Sequence, residues 1–178
     1  MKFRHVVLFN GEAFKVPQGI QRIDHRATHG WQLRYGGTKM FSDHSADGSG
    51  AAAALDKATR ELLRRIATLE APTTLQHGPS QNKLSGLPPG ISGPIVRQRR
   101  GSKVRDASLS VLIPRFGEKP RRRTIYIGTE NTYTIQKYEA ALARAILMRQ
   151  EAEELYRRDI TRAKRAEGRK LKAERKAK

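Results

Sequence analysis

Apolar residues recur along this chain with two different periods. In 31–35 (WQLRY), Trp31, Leu33 and Tyr35 alternate with Gln32 and Arg34, so a strand there has one apolar and one polar face. Residues 19–24 (GIQRID) are also short and strand-like, and the turn-rich DHRATHG connects the two. After Gly36 and Gly37, residues 39–41 supply a third strand. The period then lengthens. Ala51, Leu55, Ala58, Leu62, Ile66 and Leu69 recur at helical spacing, with Arg60, Arg64 and Arg65 off the stripe. Ser49, after a loop rich in glycine and serine, is the candidate N-cap of that helix.

The same order returns in the second half. PIVRQRR at 94–100 reads as a basic strand, and ASLSVLI at 107–113 as a strand ended by Pro114. Thr124, Ile125, Tyr126 and Ile127 make a third, and Gly128 turns the chain. Thr132 or Thr134 then caps a helix whose stripe is Ile135, Tyr138, Leu142, Ala145, Ala152 and Tyr156. A strand that feeds a one-sided helix needs a sheet to cover it. The predicted fold is therefore α+β, two small domains, each a three-stranded antiparallel sheet on one long helix. The expected boundaries are an N-terminal segment at 1–16 with a short strand over 6–9, a first domain at 17–70, and a linker at 71–90. A second domain at 91–158 and a basic tail at 159–178 complete the chain. The linker reading rests on Pro72, Pro79, Pro88 and Pro89. The tail has no apolar stripe and reads as a frayed helix or a disordered arm.

Composition adds a partner class. The chain has 178 residues and a hydrophobic fraction of 37%, which suits two small cores better than one large one. Its formal net charge of +19 calls for a polyanionic partner. Residues 91–158 hold fifteen Lys/Arg against seven Asp/Glu, so the second half supplies most of the attraction. There is no cysteine, hence no disulfide framework and no thiolate metal site. The five histidines show no metal-ligand spacing: His25 and His29 are four apart but lie in a turn, and His44 to Asp47 reads as a polar loop. No phosphate loop or nucleophile elbow is present. The reading is non-enzymatic, with no catalytic residues, cofactor, metal or membrane partner. No small-residue cleavage site follows the N-terminal apolar run, so a cytoplasmic, nucleoid-associated protein is expected.

Three strands then a helix, with Trp31 early in the second strand, resembles the Apetala-two/ethylene-response-factor type of DNA-binding domain. VRQR at 96–99 is similar to that family's first strand, and TIYIGT at 124–129 to its third strand and the glycine before its helix. The duplicated arrangement resembles small tandem proteins of this type from bacteria and phages. Gln21 and Ile23 stand where the family's first strand usually carries basic residues. The resemblance implies sequence-specific double-stranded DNA binding and a role in transcription regulation.

Alternation assigns candidate contacts on the face opposite each helix. In the second domain these are Arg97 and Arg99 on the first strand, Ser110 on the second, and Thr124 and Tyr126 on the third. Arg115, Arg121, Arg122 and Arg123 are placed on loops as phosphate clamps. In the first domain Gln32 and Arg34 point outward, with Arg22, Arg26 and Lys39 nearby. The alternatives are a structural or RNA-binding protein and an accessory DNA-binding module of a mobile element.

Overall fold

The computed structural model describes residues 1–79, 81–98, 101 and 103–177. The protein is α+β, with three small antiparallel sheets and two helices among the described residues. Strands β1 (Phe3–Val7) and β2 (Ala13–Pro17) form a hairpin. Strands β3 (Ile20–His25), β4 (Thr28–Arg34) and β5 (Thr38–Ser42) form a three-stranded sheet. Helix α1 (Ala51–Thr68) follows. Strands β6 (Ile91–Gln98), β7 (Arg105–Ile113) and β8 (Arg121–Thr129) form the third sheet, and helix α2 runs from Ile135 to Lys176. Two compact units divide the chain: Met1–Pro72 with Ile160–Lys178, and Thr73–Asp159.

The first core collects around Trp31, Leu33 and Tyr35, the apolar face expected of β4, together with Ile20 and the α1 residues Ala51, Ala54, Ala58, Leu62 and Ile66. The fully buried indole of Trp31 donates from Nε1 to the Ala51 carbonyl at 2.8 Å, which ties the sheet to the first turn of α1. Ser49 does not cap this helix. Its N-cap is Gly50, without a side-chain bond, because a Cβ there would stand 1.8 Å from the Asp43 carbonyl oxygen. At the other end Arg65 donates to the carbonyls of Tyr35 and Gly37, each at 2.8 Å. Leu69 ends the helix, exposed, rather than continuing the stripe.

The N-terminal segment holds two paired strands rather than the one short strand expected over 6–9. The β1–β2 hairpin belongs to the first core: Leu8 and Val16 are buried in it, and the Phe14 ring sits edge-on to Trp31 at 5.6 Å. Phe14 and Val16 flank Lys15 in a period of two, the pattern that carries this strand.

The second core is the one expected from the alternation of β7 and β8. Leu109, Val111, Ile125 and Ile127 are buried against Ala141 and Ala145 of α2, with Tyr138, Leu142 and Ile146 packed around them. Ile135 stands outside that core, exposed. Thr134 is the capping threonine, its Oγ1 accepting from the Lys137 N–H at 3.2 Å, while Thr132 Oγ1 accepts from the Thr129 N–H at 2.9 Å and closes the turn. The second half of the expected linker is folded. Leu87 is buried in this core, and Lys83 Nζ donates to the carbonyls of Pro88 and Ile91 at 2.6 and 2.7 Å.

Residues 160–176 of the expected basic tail are helix, the continuation of α2, and belong to the first unit. Leu171 is buried, Thr161 Oγ1 accepts from the Ala71 N–H at 3.0 Å, and Arg175 pairs with Asp56. Gly168, the first glycine after Gly128, is a contact point. A Cβ on it would lie 2.9 Å from Ile66 Cγ2. Gly168→Leu is expected to lower the unfolding free energy by about 1–3 kcal/mol through overpacking. Gly168→Ala should cost less, because alanine recovers about 1 kcal/mol of helix propensity. Urea denaturation of the two variants checks the order.

Candidate nucleic-acid interface

Register determines which side chains share the face of each sheet opposite its helix. In the second unit Leu109 pairs with Ile125 on the core side, whereas Ser108 pairs with Tyr126, Ser110 with Thr124 and Leu112 with Arg122 on the other. On β6, Ile95 pairs with Ser108 and Arg97 with Asp106. The open face therefore carries Arg97, Ser108, Ser110, Arg122, Thr124 and Tyr126, with Ile95, Asp106 and Leu112 among them. Tyr126 is 53% exposed, a large aromatic presented to solvent. Ser110, expected to face outward, does so at intermediate burial. Arg97 and Arg122 are exposed and make no ion pair among the described residues. Arg99 lies outside the described residues.

Arg121, Arg122 and Arg123 are not on a loop, as expected from sequence, but form the start of β8. Strand alternation separates them. Arg122 shares the open face with Thr124, and Arg121 and Arg123 stand opposite Ile113 and Val111 on the helix side, exposed. Arg115 is on the β7–β8 loop, but Glu118 holds its guanidinium at 2.5 Å, so much of its charge is met within the protein.

Two cations escaped the sequence reading. Lys137 and Arg144 of α2 line a groove of about 570 Å³ along β8, together with Thr124, Tyr126, Ala140 and Met148. Residues 137, 140, 144 and 148 recur at helical spacing beside the core stripe, and that secondary stripe was the available signal.

The first sheet presents a different surface. Gln21 pairs with Gln32, Gln32 with Met40, and Arg34 with Thr38 on the face away from α1. Gln32 and Arg34 thus point as expected, with Arg34 Nε donating to Gln32 Oε1. Arg26 is at the exposed tip of the β3–β4 turn with a φ of 34°, and its carbonyl faces His29 Nε2 at 3.1 Å.

Arg22 and Lys39 are on the wrong face for an outer contact. Arg22 pairs with Trp31, and Lys39 with Leu33, both on the core side. The Arg22 side chain is 7% exposed and meets the fully buried carboxylate of Asp43 at 2.6 Å and that of Asp24 at 2.7 Å, with its guanidinium carbon 5.1 Å from the Trp31 ring centroid. Asp43 lies beyond the third strand read from sequence at 39–41, so nothing marked Arg22 as buried. Lys39 is exposed beside the Phe41 ring, at 5.3 Å. The second unit also keeps a buried cation, Arg149, which donates to the Leu112 carbonyl and to Glu153 Oε1 at 2.6 Å.

No protein-family model, no curated protein and no solved structure matches this chain. No helix among the described residues is long and apolar enough to cross a membrane.

The Arg22 cluster makes a prediction that separates support from recognition. Arg22→Ala leaves the Asp43 carboxylate buried without its partner, and the expected loss of unfolding free energy is about 3–5 kcal/mol. The hydrogen bond from Arg22 is the main cause holding the Asp24 carboxyl below its usual value, helped by His29 and opposed by burial. A depressed carboxyl contributes stability above its unfolded pKa, about 3.9, and loses it as pH falls through the lower folded value. Unfolding midpoints measured from about pH 5 down through about pH 2 should therefore fall more steeply for the parent protein than for Asp24→Asn.

Proposed function

We propose that this protein binds double-stranded DNA in a sequence-specific, regulatory role, with the β6–β7–β8 sheet as its principal reading surface. The observation that carries the proposal is the composition of one open face. Arg97, Arg122, Thr124 and Tyr126 project from a sheet whose opposite face is closed by α2. Two inter-strand spacings of about 4.8 Å make the sheet backbone roughly 10 Å across. That width suits a major groove of about 12 Å and not a minor groove of about 6 Å. Arginine can bridge guanine O6 and N7 with two bonds, and among the described open-face residues Arg97 and Arg122 have that capacity. Arg121 and Arg123 at the start of β8 and Lys137 and Arg144 beside it are assigned to phosphates, which position the sheet without specifying sequence.

The two units are read as two versions of one sheet-plus-helix design, in keeping with the resemblance to Apetala-two/ethylene-response-factor domains. The first sheet offers Gln21, Gln32 and Arg34 on its open face, less charge than the second. Glutamine can pair with adenine at N6 and N7, so this face is assigned a weaker, auxiliary contact. Binding rather than catalysis is the proposed activity.

Selection from a pool of random duplexes should enrich a defined site. Arg97→Ala is expected to cut discrimination at one position of that site by about 1–3 kcal/mol while leaving affinity for random duplex nearly unchanged. Arg121→Ala with Arg123→Ala should weaken binding to every sequence and flatten the salt dependence by about one unit of slope per contact. Anisotropy titrations at several salt concentrations measure both effects. Failure to enrich any sequence, or tighter binding to an A-form RNA hairpin than to the enriched duplex, would contradict the proposal.

A further inference from the structure

The first unit contains a second cationic surface that shares no residue with the proposed DNA-reading face. Where Gly168 lets α2 approach α1, the two helices frame an open groove of about 730 Å³. Leu63 and Ala67 of α1 remain partly open to solvent along its floor, beside the buried Ile66. On the α1 side Arg60 and Arg64 already hold carboxylates, Asp56 and Glu61, each at 2.7 Å. On the α2 side Arg175 is likewise paired, with Asp56, but four further cations are not. Arg165, Arg169, Lys172 and Lys176 line it at steps of four, three and four, and make no ion pair among the described residues. At 1.5 Å of rise per residue, these cations form one stripe about 16 Å long.

We propose that this groove is a docking site for an acidic amphipathic helix of a partner protein. Such a helix seats apolar residues spaced three and four apart into an apolar groove. Aspartate or glutamate at a spacing of four would repeat about every 6 Å, the same step as Arg165 to Arg169 and Lys172 to Lys176. The apolar floor favours this occupant over a polynucleotide. Phosphates meet the tips of Arg and Lys, and a hydrated backbone above Leu63 and Ala67 removes little apolar surface from water. An acidic amphipathic helix satisfies the cations and covers the floor together.

The test uses the full-length protein and two labelled synthetic peptides of equal composition. One carries leucines on a single helical face flanked by glutamates, and the other has the same residues shuffled around the helix. The amphipathic peptide should bind at least about tenfold more tightly than the shuffled one, and Arg169→Glu with Lys172→Glu should remove that preference. Leu63→Lys separates the two polyanion classes. It removes apolar floor and adds a cation, so the amphipathic peptide should lose about tenfold in affinity, whereas binding of a random-sequence duplex should hold or improve. The altered side chains are exposed or half-exposed, and unchanged unfolding midpoints would show that the variants fold. Equal binding of both peptides, or tighter binding of the amphipathic peptide by Leu63→Lys, overturns the proposal. So does a loss of duplex affinity, with no loss of peptide affinity, in Arg169→Glu with Lys172→Glu, which would make the groove a nucleic-acid contact.

Discussion

A three-stranded sheet has two faces, and in each unit of this chain a helix closes only one. The strands β3–β5 bury Ile20, Trp31 and Leu33 with α1, and β6–β8 bury Leu109, Val111, Ile125 and Ile127 with α2. Because side chains alternate along a strand, burying that apolar set forces every intervening residue onto the opposite face. A slip of one residue in register would exchange the two sets. The core of the second unit thus fixes the surface as well: with Ile125 and Ile127 inward, Thr124 and Tyr126 must point out. Recognition in this account follows from burial, since the outward residues are held in place by the inward ones.

The same constraint sorts the charge. A net charge of +19 suggests an abundance of free cations, but burial and pairing withdraw several of them. Arg22 lies beneath the first sheet against Asp24 and Asp43, and Arg149 is tied to Leu112 and Glu153 in the second unit. Arg65 closes the end of α1, and Arg105 and Arg115 hold Glu130 and Glu118. A buried cation without its carboxylate is costly, so Arg22, Arg65 and Arg149 are committed to the fold, whereas Arg105 and Arg115 form exposed pairs that only reduce the free charge. Among the described residues, the cations without an ion pair include Arg97, Arg121, Arg122, Arg123, Lys137 and Arg144 on and beside the third sheet, and Arg165, Arg169, Lys172 and Lys176 on α2. These are two chemically different surfaces, one polar with an exposed tyrosine and one apolar-floored.

Much of this was legible in the sequence, for a physical reason that also limits it. Period-two alternation in 31–35 and 107–113 and the helical stripes from Ala51 and Ile135 report directly on burial, and the two three-stranded sheets, α1, the part of α2 before the tail and the outward faces of Thr124 and Tyr126 follow from such patterns. Phe14 and Val16 alternate as well, but a two-residue apolar set is too short a signal to place a hairpin in the first core. Arg22 misleads because its burial depends on Asp43, twenty-one positions away in sequence but next to it in space. The tail misleads for a similar reason. Leu171, Thr161 and Gly168 are spaced too sparsely among lysines and arginines to make a stripe, yet each has a specific contact or burial site. Local pattern reveals which face of a strand is buried, but not which distant charge will neutralise a cation.

The most direct test of the central claim is a backbone-amide NMR titration of the full chain with a selected duplex. If the open face of β6–β8 reads DNA, the largest shift changes will fall on Arg97, Ser108, Ser110, Thr124 and Tyr126, with smaller ones at Lys137 and Arg144 and little change at Arg22. Shift changes confined to α1 and the end of α2, with the amides of β7 and β8 unmoved, would contradict it.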